Sequence, residues 1–281
     1  AYISRFWQPI NTIANFYNSV LTAVSYLERI FETIDEPVAV KDAPDAAQMP
    51  QIKGDVAFDH VTFSYEDGIP ILHDVSFEVQ QGETIAIVGP TGAGKTTIVN
   101  LLSRFYNVDS GTVKIDGIDI SKVTLRSLRE QMGVMMQDSF IFSGTIMDNI
   151  RYGNKEASDE DVIRAAKTVC AHDFIVQMED GYNTQVNERG SRLSVGQRQL
   201  ISFARALLAD PAILILDEAT SSIDTETEIV LQEGLSHLLE GRTSFIIAHR
   251  LSTIKNANRI MYVADGEILE SGSHEELLQM H

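Results

Sequence analysis

Gly89-Pro90-Thr91-Gly92-Ala93-Gly94-Lys95-Thr96 has the spacing G-x-x-x-x-G-K-[ST]. These residue types can hold a polyphosphate. Glycines let successive backbone N–H groups point into one concavity, and a helix starting there adds positive potential. Lys95 would reach the β- and γ-phosphates, and the Thr96 hydroxyl would hold Mg²⁺. The pattern works only between a strand and a helix. Thr84-Ile85-Ala86-Ile87-Val88 is apolar and β-branched, as a buried strand is. Thr97 to Phe105 reads as a helix with Ile98, Leu101, Leu102 and Phe105 on one face.

A second constellation complements the first. Asp217-Glu218 directly follows the apolar run Ala212–Leu216. A carboxylate at the C-terminal end of a parallel strand faces the crevice where ligands bind in open α/β sheets. Asp217 is placed to hold Mg²⁺, directly or through water. Glu218 is placed to orient and deprotonate a water attacking the γ-phosphate. The same two residues could instead cap the following helix. His249 closes another apolar run, Thr243–Ala248, and can hydrogen-bond a γ-phosphate or water, or serve a structural role. Gln137 follows the strand-like Gly133–Met136 and can contact Mg²⁺ or water.

The remaining elements must position these groups. Val56–Tyr65 and Val75–Val79 alternate as strands, and Asp116-Gly117 and Asp265-Gly266 look like hairpin turns. Leu125–Gln131 reads as helical. In the block from about 138 to 210 the character changes. Ser158-Asp159-Glu160-Asp161 is a capping-box start for one helix, and Ser194 opens another that Asp210-Pro211 ends. The runs at 212–216 and 243–248 are unbroken, as central parallel strands should be. Together these argue a three-layer α/β core carrying a helical insert.

The chain has 281 residues, 44% of them hydrophobic, enough for one large domain or a domain plus an appendage. A formal charge of −18 argues against a nucleic-acid surface. The single cysteine, Cys170, cannot form an internal disulfide and reads as a small apolar helix residue. Near the N-terminus, Ile10, Ile13, Tyr17, Leu21, Val24, Leu27, Phe31 and Ile34 recur at helical spacing. Asn11, Asn15 and Asn18 interrupt any bilayer-length apolar stretch. Tyr2, Phe6 and Trp7 are aromatics of the membrane–water boundary type. Two readings stand: an amphipathic helix packed on the domain, or the inner end of a membrane helix. Residues 37–54 hold three prolines without apolar periodicity and read as a linker.

In this order the pieces resemble the nucleotide-binding domain of an ABC transporter, of the exporter type that joins membrane and ATPase parts in one polypeptide. Leu193-Ser194-Val195-Gly196-Gln197 resembles the signature motif L-S-G-G-Q. Gln137 matches the Q-loop, His249 the H-loop, and Ser221-Ser222-Ile223-Asp224 the D-loop. Tyr65 matches the aromatic that stacks on adenine, and Glu188-Arg189-Gly190 the segment touching the membrane domain. The resemblance spans essentially the whole chain. It implies a P-loop NTPase (RecA-like) α/β core with an antiparallel β subdomain and a helical subdomain at about 138–210. Residues 1–36 would be the cytosolic end and extension of the last transmembrane helix, 37–54 a linker, and 55–281 the nucleotide-binding domain, its last residue a few short of the usual end.

The implied ligands are ATP and Mg²⁺. Gly89, Pro90, Thr91, Gly92, Ala93, Gly94, Lys95, Thr96 and Thr97 would bind the nucleotide with Tyr65, Gln137, Ser194, Gly196, Gln197, Asp217 and Asp224. Thr96, Gln137 and Asp217 would hold the metal. Glu218, His249, Gln137 and Lys95 would act in hydrolysis. The implied partners are a second nucleotide-binding domain, identical or different, and the chain's own membrane domain, with no nucleic acid. The implied place is the cytoplasmic face of a bacterial cell membrane. Two domains would close head to tail around two ATP molecules, each site using one chain's P-loop and the other's signature.

Val195 departs from the pattern, standing where the family has glycine. A helix first turn tolerates it, but a β-branched side chain now stands where phosphate approaches backbone. In a pair of unlike chains, only the site built on the partner's P-loop would suffer. Two other readings remain. A chromosome-maintenance or DNA-repair ATPase would split its head with a very long coiled coil, whereas only a short insert separates Gln137 from Ser194. A non-hydrolysing regulatory module would not need both Glu218 and His249.

Overall fold

The computed structural model describes residues 2–66, 68–136, 140–187, 190, 193–217 and 224–280. They fall into two compact units, Ala1–Lys41 and Asp42–His281.

The first unit is one helix, α1 (Tyr2–Ile34), with Pro9 inside it. Thr12, Ser19, Thr22 and Thr33 return their hydroxyl protons to carbonyls four residues back, so these polar groups are satisfied within the helix. Its apolar residues, Trp7, Ile13, Tyr17 and Phe31 among them, are exposed. No helix among the described residues is long and apolar enough to cross a membrane.

The second unit contains two main sheets. One is antiparallel: β1 (Val56–Glu66), β2 (Ile69–Val79), β4 (Ser110–Ile115) and β5 (Ile118–Asp119), in the order β2-β1-β4-β5. The other comprises β3 (Thr84–Val88), β6 (Met132–Met135), β9 (Ile213–Asp217), β10 (Thr243–Ile247), β11 (Arg259–Ala264) and β12 (Glu267–Gly272). Its order is β12-β11-β3-β10-β9-β6, parallel except for the edge strand β12. The two Asp-Gly pairs turn the β4–β5 and β11–β12 hairpins as expected.

Unbroken apolar runs make sense in such a sheet because both faces are covered. Ile85, Ile87, Ile213, Ile215, Phe245 and Ile247 join one core with α2 (Lys95–Leu102) and the antiparallel sheet. Ala86, Leu214, Leu216 and Ile246 join another, beneath α7 (Val195–Ala209) and α8 (Thr225–Leu239). This second core takes in α4 (Ile146–Arg151), α5 (Asp159–Thr168), α6 (His172–Val176) and the short pair β7 (Gly144–Thr145) and β8 (Gln185–Val186). The expected layered α/β core with a helical insert is the observed architecture. Helices α3 (Leu125–Arg129), α9 (Leu251–Asn256) and α10 (His274–Met280) complete the unit.

Several local expectations need correction. α2 ends at Leu102, and Arg104 turns the chain with φ of 50°. Phe105 is therefore outside the helix and exposed, with the Arg129 guanidinium over its ring at 4.9 Å. Cys170 is also outside a helix: it follows α5 with φ of 60° and is partly exposed. Residues 42–54 are not a loose tether. Met49 and Ile52 are buried in the core, and Ala47 forms a bridge with Val123.

Candidate functional site

Three parallel strands bring described members of both constellations to one edge. Ile247 pairs with Ile87 of β3 on one side and Asp217 of β9 on the other, so the strand ends are level. Beyond them lie the glycine-rich loop, His249 and the Asp217 carboxyl.

The loop leaves β3 at Gly89, where φ is 146° and a Cβ would stand 1.9 Å from the Val263 carbonyl oxygen. Only glycine lets the chain pass β11 this closely. Ala93 N–H donates to Pro90 O at 3.3 Å, which closes the turn before α2. Pro90, Thr91, Gly92 and Thr96 are exposed, whereas Ala93, Gly94, Lys95 and Thr97 are buried. Lys95 Nζ curls back and donates to Gly89 O and Pro90 O, each at 2.8 Å. Burial pulls its pKa below the ordinary lysine value, and the Asp217 charge opposes that. Burial likewise pushes the Asp217 carboxyl up, opposed by His249 and Lys95. The two groups thus feel each other's charge across the strand ends.

Tyr65, at the end of β1, stands beside the same loop. Its hydroxyl lies 3.2 Å from Thr97 Oγ1, and Phe63 stands perpendicular to its ring at 4.9 Å. Almost half of it, 46%, remains exposed. The sequence offered no sign of the Tyr65–Thr97 bond, since 32 residues separate the partners.

Ser194, Gly196, Gln197 and Asp224 form a second group, with no hydrogen bond to the loop among the described residues. Ser194 caps α7 in a reciprocal box: its Oγ accepts from Gln197 N–H at 3.2 Å, and Gln197 Oε1 accepts from Ser194 N–H at 3.0 Å. Gln197's side chain is therefore committed to its own helix start. The N–H groups of Val195 and Gly196 are left as first-turn donors without an intrahelical acceptor. Val195 is 39% exposed beside them. Gly196 is buried against α8. Asp224 caps α8, accepting from Thr227 N–H at 2.9 Å, and this bond holds its carboxyl below the usual range. Gln137, Glu218, Glu188, Arg189 and Ser221–Ile223 lie outside the described residues.

The oxygen donors at the sheet edge suit a hard divalent cation: the exposed Thr96 hydroxyl and the partly buried Asp217 carboxylate. A lysine and first-turn N–H groups in the same loop suit phosphate oxygens.

Residues 72–221 match the family model described as ABC transporter. "Uncharacterized ABC transporter ATP-binding protein YknV" of Bacillus subtilis (strain 168) is 54% identical over 277 residues, covering 99% of this chain and 46% of that protein. "Fatty acid ABC transporter ATP-binding/permease protein" of Mycobacterium tuberculosis (strain CDC 1551 / Oshkosh) is 47% identical, covering 99% and 44%. A solved structure of a bacterial Atm1-family ABC exporter with ATP bound superposes with a TM-score of 0.83 at 41% identity, over 99% of this chain and 49% of that one. The chain thus spans about half the length of the curated relatives it matches.

Proposed function

The chain belongs to the ABC transporter family, and on that premise we propose that it binds and hydrolyses ATP to power export across a membrane. The observation that carries this reading is Lys95, seated in the glycine-rich loop and facing the charge of Asp217 at the same sheet edge.

Each group has a role in this reading. The loop N–H groups and Lys95 bind the β- and γ-phosphates, and Tyr65 stacks on the adenine. Thr96 and Asp217 hold Mg²⁺, with Gln137 as a further donor; the bound ion would neutralise phosphate charge. Glu218 accepts the proton of the attacking water, and His249 hydrogen-bonds the terminal phosphate. Ser194 and the free N–H groups of the α7 first turn offer an anion site to the γ-phosphate held by a second nucleotide-binding domain. Loss of that shared phosphate would let the two domains separate.

The chain's own membrane domain would receive the motion at the helical insert. An exposed aromatic group there supports this: Phe140 and Phe142, with Tyr152 at 4.6 Å from Phe142 and Arg205 over both Phe142 and Tyr152. The working place is then the cytoplasmic face of a bacterial cell membrane, and without ATP the isolated chain is mainly monomeric. Titration calorimetry on Lys95→Ala tests the reading. Tight Mg-ATP binding should disappear; parent-like affinity would overturn the phosphate-loop assignment.

A further inference from the structure

We propose that Tyr106 is a positioning residue for the nucleotide base, acting through Tyr65; this rests on the base-stacking role of Tyr65 proposed above. Tyr65 is held from several directions. Its hydroxyl is tied to Thr97 Oγ1, with Asn100 Nδ2 at 3.5 Å. Phe63 stands perpendicular on one side, and Tyr106 stands perpendicular with centroids 5.0 Å apart at 86°.

Tyr106 is 41% exposed, and its backbone is placed by the turn after α2 rather than by the glycine-rich loop. It sits in the turn after α2, two residues past the left-handed Arg104. Arg129 clamps that turn, its Nε donating to Ser103 O at 3.1 Å and its Nη2 to Arg104 O at 2.7 Å. Phe105 N–H donates to Asn100 O at 2.9 Å. Tyr106 also lies 5.5 Å from Phe63, so three rings brace one another. A ring anchored only at its hydroxyl can swing about its side-chain torsions. A perpendicular neighbour removes that freedom before the base arrives, so less ordering is left to binding. Perpendicular aromatic pairs of this kind change an equilibrium by about two- to tenfold.

The test is calorimetric binding of Mg-ATP and of inorganic triphosphate to the full chain. Tyr106→Leu should weaken Mg-ATP by about two- to tenfold and leave triphosphate unchanged. Tyr106→Phe should bind as the parent. In a Tyr65→Ala background, Tyr106→Leu should add nothing. If Tyr106→Leu does not fold, Tyr106→Met makes the same comparison. Parent-like ATP affinity, equal losses for ATP and triphosphate, or the same loss without Tyr65 would each overturn the positioning role. Unchanged ATP binding by Tyr65→Ala would remove the stacking reading and the positioning role together. A weakened Tyr65→Ala beside an unaffected Tyr106→Leu would remove only the latter.

Discussion

Gly196 and Thr227 meet where α7 and α8 begin: a Cβ on Gly196 would stand 2.4 Å from Thr227 Cγ2. The glycine is thus required by helix packing, whatever it does for phosphate. Gly196→Ala should overpack the contact at about 1–3 kcal/mol. Thr227→Ser keeps the hydroxyl that bonds Asp224 and removes the offending methyl. The double variant should recover most of the loss. Differential scanning calorimetry decides, and a Gly196→Ala chain melting with the parent would contradict the packing argument.

Ser194 should matter with no partner present. Ser194→Ala deletes the acceptor of Gln197 N–H and should cost about 1 kcal/mol in urea unfolding without nucleotide. Ser194→Asn should restore most of that stability. An unchanged urea midpoint for Ser194→Ala would mean the cap is not stabilising.

Asp217 should destabilise the fold it serves. Burial raises its carboxyl above the ordinary range, with His249 and Lys95 opposing. A carboxyl with a raised folded value binds protons more readily when folded. The cost to the fold is therefore absent below the ordinary unfolded value, grows as pH rises past it and is complete above the raised folded value. The effect is small because the carboxyl is partly solvated. Asp217→Asn should raise the melting temperature at neutral pH by about 1–2 °C, and the gain should shrink as pH falls to the ordinary carboxylate range. A gain independent of pH would point to a different cause.

The sequence supports one prediction about assembly. On the proposed reading, Val195 would modify the anion site that this chain offers a partner, while Glu218 and His249 would serve its own P-loop. In a pair with an unlike partner carrying the usual signature, Glu218→Gln should reduce ATP turnover by roughly two orders of magnitude or more. The equivalent change in the partner should do little. Phosphate-release assays on the reconstituted pair measure this. Equal losses from both changes, or an active homodimer of this chain, would refute the unlike-partner reading.

The strands and the loop were legible because their signals are local. Ile213–Leu216 and Phe245–Ala248 are apolar throughout because both faces of the central sheet are buried. Ser158 and Asp161 sit three residues apart and bond each other. What was not legible depends on distant chain. Phe105 matches the helical period of α2, but Arg129 holds the two carbonyls that end the helix. Residues 42–54 lack periodicity, yet Met49 N–H bonds Ser127 Oγ and Ile52 N–H bonds Gln131 Oε1.

The Lys95 ammonium is already engaged within its own loop. Two of its three ammonium protons go to Gly89 O and Pro90 O, so on the proposed reading phosphate capture would be a swap of acceptors at one nitrogen. A charged phosphate oxygen is a stronger acceptor than a neutral carbonyl, so a bound phosphate would draw the amine away. On the proposed reading, the loop would hold its cation seated until an anion arrives to take it. The amine's departure would leave the Gly89 and Pro90 carbonyls to find new donors.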